Sequence, residues 1–292
     1  MTRPCNWTSL LQKKRLKIET FKVESNGVRL GERFLKIVFD NAIQNKVEEI
    51  YVTIFDKRDE QKRLISLLLE WGFVKHGIKG GELVFVRDLK LSFNADKPKL
   101  TYPFISTNSN FFLVPIYPKY HTELLPDSYL KTESPLNFIE NEPHRNAISK
   151  VYICRSIKRN IQKGDIIIFY RTAAAGQSAY YTSVITTIGV AEEKIDGIKD
   201  ENEFILKCRK RSIFSDDYLK EFWNYSKYRP FIIKFIYIYS FPIGSRLNRK
   251  QLLDLKIITG EDNELRGLKQ ITKEQFLTLL KETKTNESVI VN

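Results

Sequence analysis

Apolar and polar residues change their spacing several times along the first ninety positions of the chain. Over Leu16–Val23 they alternate, which predicts a β-strand. From Gly31 to Gln44 the apolar residues recur every three or four positions, as on one face of a helix. The pattern then predicts a strand over 48–55, a helix over 59–72 and a strand over 82–89. This alternation is typical of an α/β unit with a partly parallel sheet.

Strand patterns dominate the chain from Lys150 onward. Four runs predict strands, and they lie at 150–156, 164–172, 180–193 and 229–241, with helices predicted at 215–225 and 272–282. Many strands with little helix predict a barrel-like or strongly bent sheet. The stretch before them is richer in Pro, Asn and Ser and contains one strand pattern, around Phe111–Ile116. We therefore predict an α/β unit at 1–92, a connector at 93–145, a mainly β domain with short helices at 146–284 and a tail at 285–292.

Composition and charge narrow the class of partner. The 292 residues are 42% hydrophobic, enough for one large core or two ordinary ones. The formal net charge is +13, and the excess lies in the two flanking parts while the connector is neutral. A basic protein of this kind suits an anionic partner such as nucleic acid or a phosphorylated ligand. The alternative is a lysine-rich surface that serves solubility alone.

Other features exclude several classes of protein. The chain contains no run of eighteen apolar residues, and its first residues are polar, so we predict neither a membrane span nor a signal peptide and expect a cytoplasmic protein. The cysteines and histidines lack the spacing of a metal site or of a disulfide framework, which predicts no bound metal. They are Cys5, Cys154, Cys208, His76, His121 and His144.

The turn before the first predicted helix has the features of an anion site. Backbone N–H groups and the helix dipole both favour negative charge at a helix N-terminus, and glycine lets a phosphate approach the backbone. The stretch ETFKVE, NGVRLG and ERFLKIVFDNAIQN, with the elements up to Leu89, resembles the C-terminal half of a GNAT-type N-acetyltransferase. That resemblance implies acetyl-CoA as a substrate and a loop that binds its pyrophosphate. The implied binding residues are Val23, Gly27, Val28, Arg29, Leu30, Gly31 and Glu32.

The sequence departs from that family at three positions and in one larger respect. Arg29 stands where the family has its first loop glycine, and Gln61 stands where an asparagine is frequent. Leu68 replaces a tyrosine that often serves as general acid, so we assign no catalytic residue. Too few residues precede Leu16 for the family's first strands. Either a second chain or the connector completes the sheet, or the half domain is kept for binding.

The C-terminal part resembles the PUA-like superfamily, closest to its EVE and ASCH branches. The resemblance covers about Asn146–Lys281 and rests mainly on GDIIIFYRT, the following ITTIGV and the terminal RGLKQITKEQF. It implies a small β-barrel that binds RNA or modified bases in an aromatic-lined pocket beneath a basic rim.

Aromatic residues interleaved with Lys and Arg fit that expectation, because stacking and phosphate contacts require them. The residues predicted to contact nucleic acid are Tyr170, Arg171, Arg209, Lys210, Arg211 and Trp223. The basic run has an alternative as a solvated loop, and Trp223 has one as a core residue. Phe169 is predicted to be core. His121 is interpreted as a packed loop histidine rather than a general base, and His144 as part of a turn.

Two functions are consistent with the sequence. The first is an acetyl-CoA-binding protein, with or without N-acetyltransferase activity, that uses the C-terminal domain to find RNA or an RNA-bound substrate. The second is a non-catalytic protein that reads RNA or a modified base, with the first unit as a scaffold.

Overall fold

The predicted alternation of the first unit is present in the computed structural model, which describes residues 13–20, 29–130, 143–224, 229–261 and 264–292. The elements of this unit are β1 (Arg15–Ile18), α1 (Leu30–Gln44), β2 (Glu49–Ile54), α2 (Asp59–Glu70), β3 (Val74–Lys79) and β4 (Glu82–Asp88). The last three residues of the first predicted strand and most of the following turn, including Val23, Gly27 and Val28, lie outside the described residues.

Strand β3 was not predicted, because it lies at the edge of the sheet. Most of its side chains are exposed, so they carry no alternation of apolar and polar residues. Gly80 and Gly81 connect β3 to β4, both with positive φ (57° and 86°), as the tightest hairpin turns require. The sheet order is β1-β2-β4-β3, with β1 parallel to β2 and with β4 antiparallel to both of its neighbours.

The connector belongs to the second half of the molecule. Its strand β6 (Phe111–Ile116) runs parallel to β8 (Ile166–Arg171) in a six-stranded sheet, and its short strand β5 (Ile105–Ser106) pairs with β12 (Ile290–Val291) of the tail. Within the described ranges the connector adds no strand to the first sheet. The alternative in which it completes that sheet is therefore wrong for this part of the chain.

The second sheet contains all four strands predicted after Lys150. The further helices and strands of this half are α3 (Pro118–Leu124), α4 (Pro143–Asn146), β7 (Ser149–Cys154), α5 (Ala179–Thr182), β9 (Val184–Ile195), α6 (Glu201–Cys208), α7 (Asp216–Asn224), β10 (Phe231–Ser240), α8 (Arg249–Asp254), β11 (Lys269–Ile271) and α9 (Lys273–Glu282). The order of the sheet is β11-β6-β8-β9-β10-β7.

The expected barrel is an open but strongly curved sheet in the described part of the chain. The end strands β7 and β11 do not pair with each other there. Register shifts in the β8–β9 and β9–β10 pairs increase the local twist. The two ends nevertheless meet, since a Cβ at Gly267 would lie 2.6 Å from the Ser156 Oγ. A side chain at position 267 would force Ser156 to shift, so glycine suits this contact, which brings the residues before β11 against the end of β7.

The two faces of this sheet pack into different cores. The inner face holds Phe112, Val114, Ile167, Phe169 and Phe235 in one apolar cluster, which confirms the prediction for Phe169. The outer face packs against α9. The apolar cluster that it forms there also includes the core residues of the first unit. The two units thus share a core rather than being joined by a loose linker.

A buried polar contact also joins the two units. The carboxylate of Glu32, near the start of α1, accepts hydrogen bonds from the backbone N–H groups of Ile148 and Ser149, at 2.9 and 3.2 Å. It also forms ion pairs with Arg29 (2.7 Å) and Arg211 (3.2 Å). Although burial by itself would raise the pKa of Glu32, these cations and N–H groups lower it, so the carboxylate is ionised at neutral pH.

Two histidines are packed in the interior. His121 is fully buried, and its Nε2 lies 2.8 Å from the Thr186 Oγ1, which agrees with a packing role. His144 lies in α4 and is also buried. Burial lowers the pKa of His121 to about 3 and that of His144 to about 4.

We expect the free energy of unfolding to fall between pH 7 and pH 5. The unfolded chain protonates its histidines near pH 6.5, whereas His121 and His144 stay neutral in the folded protein until about pH 3 to 4. Each contributes up to about 1.4 kcal/mol per pH unit in this window, and carboxylates act below it. Urea unfolding at several pH values measures the slope, and His144→Gln should reduce it by about half. An unchanged free energy at pH 7 and pH 5 contradicts this account.

Candidate nucleic-acid interface

A large cleft opens where the curved ends of the second sheet meet. Its volume is about 1450 Å³. It is lined by the end of β6 with α3, by the end of β7, by α7 and the loop before it, and by the residues that precede β11. We call it the aromatic cleft, because its lining includes Tyr117, Tyr120, Tyr152, Phe214, Tyr218 and Phe222.

Local sequence explains how these side chains reach the cleft. Pro118 occupies the first turn of α3, where the missing N–H is tolerated, so the chain turns from β6 directly into a helix beside the cleft. Helix α7 is amphipathic. Leu219 and Trp223 are buried on one side of it, whereas Tyr218 and Phe222, also four residues apart, line the cleft.

The aromatic side chains form a connected wall. Phe214 and Tyr218 stack with their ring centroids 4.8 Å apart and an angle of 8° between their planes. Tyr120 meets Phe214 edge to face at 5.0 Å, and its hydroxyl lies 2.7 Å from that of Tyr218. Tyr218 is 37% exposed and Tyr117 is 67% exposed. Flat ring faces are therefore accessible to a ligand in the cleft.

Cations lie on these rings. The Arg155 guanidinium is 3.6 Å from the ring centroid of Phe222 and donates a hydrogen bond to the Phe222 carbonyl oxygen. The Lys119 Nζ lies 4.5 Å from the Tyr120 ring centroid. Arg266 adds a third cation to the lining, and Glu221 adds a carboxylate. Positive charge therefore predominates among the ionised groups of the lining.

The cysteine in the lining of the cleft is not an activated nucleophile. Cys154 lines it, but burial raises the pKa of that thiol to about 11, so the thiolate is scarce at neutral pH. In the described part of the chain, no three His, Cys, Asp or Glu side chains are grouped as a metal site. This arrangement suits binding by stacking and by charge.

The structure places the residues predicted for nucleic acid in different environments. Tyr170 is buried at the end of β8, and Arg171 beside it is 9% exposed. Arg209 is exposed and forms an ion pair with Asp216 at 2.7 Å. Lys210 is exposed and has a left-handed backbone, with φ 61°.

The last two predicted residues have structural contacts. Arg211 pairs with Glu32 and donates a hydrogen bond to the Ser149 carbonyl oxygen. Trp223 is buried, and its ring centroid lies 5.3 Å from that of Phe204. The six predicted residues are thus not brought together into one surface.

The start of α1 is the described part of the predicted phosphate loop. Arg29 adopts the left-handed conformation, φ 56°, which glycine adopts readily. Leu30, Gly31 and Glu32 form the first helical turn. A Cβ at Gly31 would lie 2.9 Å from the Leu67 Cδ2, so this glycine allows α1 to pack closely on α2.

The residues of the aromatic cleft were not predicted as a site. The signal available in the sequence was an aromatic residue next to a cation, as in Tyr117-Pro118-Lys119-Tyr120 and Tyr152-Ile153-Cys154-Arg155. Four separate segments had to be brought together before this signal could be interpreted.

Comparisons with known proteins find a similar solved structure but no matching family. No family model matches the chain, and no curated protein matches it. Among solved structures, the chain is similar to the crystal structure of a mutant ZmASCH protein from Zymomonas mobilis, with a TM-score of 0.39 and 11% sequence identity. The match covers 59% of this chain and 94% of that chain. No helix among the described residues combines the length and hydropathy that a bilayer span requires.

Proposed function

We propose that this protein binds single-stranded nucleic acid in the aromatic cleft, and that RNA or a modified base is its ligand. The observation that carries the proposal is the stacked pair of Phe214 and Tyr218 beside the Arg155 guanidinium that lies on Phe222. Single-stranded nucleic acid is bound through bases that stack on aromatic rings and phosphates that meet cations. The cleft provides both groups within one concave surface.

The size and charge of the site agree with this ligand. Pockets for small molecules usually measure about 300–1000 Å³, and the cleft is larger than that range. It therefore has room for a base together with its sugar and a neighbouring nucleotide. The net charge of +13 adds attraction for a polyanion over a longer distance.

We expect the protein to prefer a short single-stranded RNA over the matching duplex, with an affinity that falls as salt rises. Fluorescence anisotropy with labelled oligonucleotides measures both properties, and a DNA strand of the same sequence tests the sugar. Arg155→Ala removes the positive charge that lies on the Phe222 ring and that we expect to contact a phosphate. The substitution should therefore weaken binding about ten-fold and flatten the salt dependence.

The matched control is Arg63→Ala, which removes one exposed arginine from α2. It should leave the affinity unchanged. Equal binding of duplex and single strand, or equal effects of the two arginine variants, would remove the aromatic cleft from the proposal.

A second candidate function is acetyl-CoA binding by the first unit, with N-acetyl transfer to RNA or to an RNA-bound substrate. The observation in its favour is a parallel pair of strands, β1 and β2, next to a helix that begins at the left-handed Arg29. Against it, Glu32 places a buried carboxylate near that helix start and ties it to β7. We therefore rank the scaffold role of this unit first.

Isothermal titration with acetyl-CoA and with CoA separates these roles. If the scaffold role is correct, neither compound binds in the micromolar range, because the Arg29 and Arg211 guanidinium groups are already paired with Glu32 and do not serve a pyrophosphate. Micromolar binding would instead establish a cofactor site, and the acceptor and any second chain that completes the sheet would become the next targets.

A further inference from the structure

A smaller pocket lies beside the aromatic cleft. Its volume is about 380 Å³. It shares four lining residues with the cleft, and these are Tyr117, Thr172, Leu265 and Arg266. A ligand in the cleft can therefore extend into this side pocket without leaving the protein surface.

Two buried hydroxyls in the lining of the side pocket lack well-formed hydrogen bonds. Tyr170 is 2% exposed and Ser183 is 1% exposed. The Tyr170 hydroxyl lies close to Ser183 and Arg249, but neither hydroxyl makes a hydrogen bond of normal geometry within the described part of the chain. A buried polar group without a well-formed hydrogen bond is unfavourable, so two of them in one lining point to a ligand that supplies better partners.

The protonation state of Tyr170 fits an acceptor ligand. Burial raises the pKa of Tyr170, and the neighbouring Ser183 hydroxyl and Arg249 oppose that rise only in part. The phenol is therefore neutral and can donate its proton in a hydrogen bond. The serine hydroxyl can also donate, so both groups suit a ligand rich in acceptor oxygens.

The charges of the side pocket suit an anion. The guanidinium groups of Arg249 and Arg266 line it, and neither forms an ion pair with a residue that the structure describes. Of its two carboxylates, Glu264 is already paired with Lys269 and accepts N–H bonds from Thr259 and Gly260. The other carboxylate, Glu261, is exposed. It offsets only one of the two arginine charges, so the lining of the side pocket keeps a net positive charge.

We propose that the side pocket is a phosphate subsite, which holds the phosphate attached to the nucleotide whose base lies in the aromatic cleft. Two hydroxyl donors and two guanidinium groups match the oxygens and the charge of a phosphate monoester or diester. This inference rests on the proposed function for the position of the base. The anion-binding property of the side pocket follows from its own lining.

The experiment compares ribonucleosides with their 5′- and 3′-monophosphates by isothermal titration. We expect a monophosphate to bind the unchanged protein at least ten-fold more tightly than its nucleoside, and the preferred isomer identifies the strand direction. Arg249→Ala and Tyr170→Phe should each reduce that advantage to about two-fold or less, while the affinity for the nucleoside stays the same. Arg63→Ala, which removes an equal charge from the first unit, should retain the full advantage.

The conservative variant Tyr170→Phe separates a loss of binding from a loss of folding. Tyr170→Phe removes one unsatisfied hydroxyl and keeps the ring, so its thermal stability should equal or exceed that of the unchanged protein. If the monophosphate advantage is absent in the unchanged protein, or persists in both variants, the phosphate subsite is wrong.

A thermal-stability measurement with inorganic phosphate tests the anion site without a nucleotide. It therefore distinguishes failure of the phosphate subsite from failure of the proposed RNA binding. Should no nucleoside or RNA bind, stabilisation of the unchanged protein by phosphate, lost in Arg249→Ala, would still support an anion site. Equal stabilisation of both proteins would overturn it.

Discussion

Replacing Tyr218 by alanine should weaken the binding of single-stranded RNA by about ten- to a hundred-fold. This residue presents a partly exposed ring that is already held parallel to Phe214, so a base can stack on it with little loss of side-chain freedom. Stacking of a base on an aromatic side chain contributes about 1–3 kcal/mol. Loss of the ring also releases Tyr120, whose hydroxyl lies against that of Tyr218. Fluorescence anisotropy at a fixed salt concentration measures the change.

Two controls make this result specific. Tyr218→Phe keeps the ring and removes only the hydroxyl contact, so it should retain most of the affinity. Phe55→Ala removes an aromatic side chain of similar exposure, 36%, from the first unit and should have no effect. If Tyr218→Ala binds RNA as tightly as the unchanged protein does, base stacking in the aromatic cleft is excluded.

Glu32→Ala should lower the free energy of unfolding by about 3–5 kcal/mol, the usual effect of breaking a buried ion pair. The substitution leaves the backbone N–H groups of Ile148 and Ser149 without their acceptor. It also leaves Arg211, with a side chain only 13% exposed, without its counter-charge. The lost contacts lie where the two units meet. Urea unfolding of the variant should therefore be less cooperative, and its midpoint should fall to a lower urea concentration.

The matched variant is Glu60→Ala, which removes an exposed carboxylate from the same unit, where it pairs with Arg63. We expect a change below about 0.5 kcal/mol, because exposed pairs contribute little. The double variant Glu32→Ala with Arg211→Ala should be less damaging than the two single changes added together, since it removes both charges. A Glu32→Ala protein as stable as Glu60→Ala would show that this contact does not hold the units together.

Several elements could be predicted because their spacing reflects one local environment. Helix α1 has a single buried face with Leu35, Phe39 and Ala42, and its bounds agree with the prediction within one residue. Strand β8 is buried on both sides and appears as a continuous apolar run. The edge strand β3 has no such face, so it could not be recognised.

The candidate site could be predicted only in its composition. Aromatic residues interleaved with cations indicated a nucleic-acid ligand, but two of the residues chosen from that pattern make contacts inside the protein. Arg211 contacts Glu32, 179 positions earlier in the chain, and Trp223 packs against Phe204. Neighbours in sequence reveal the type of side chain, whereas its partners come from distant segments.

By itself, therefore, the sequence determined the α/β and β-rich halves of this protein, most of their strands and helices, and the excess of positive charge. These properties depend on local periodicity and on composition, which each segment carries alone. The tertiary structure decided that β6 of the connector enters the second sheet, that Glu32 joins the two units, and that four segments meet around Tyr218. Such arrangements depend on the curvature of the sheet and on contacts between distant residues, because packing energy is shared among segments and is encoded in none of them separately.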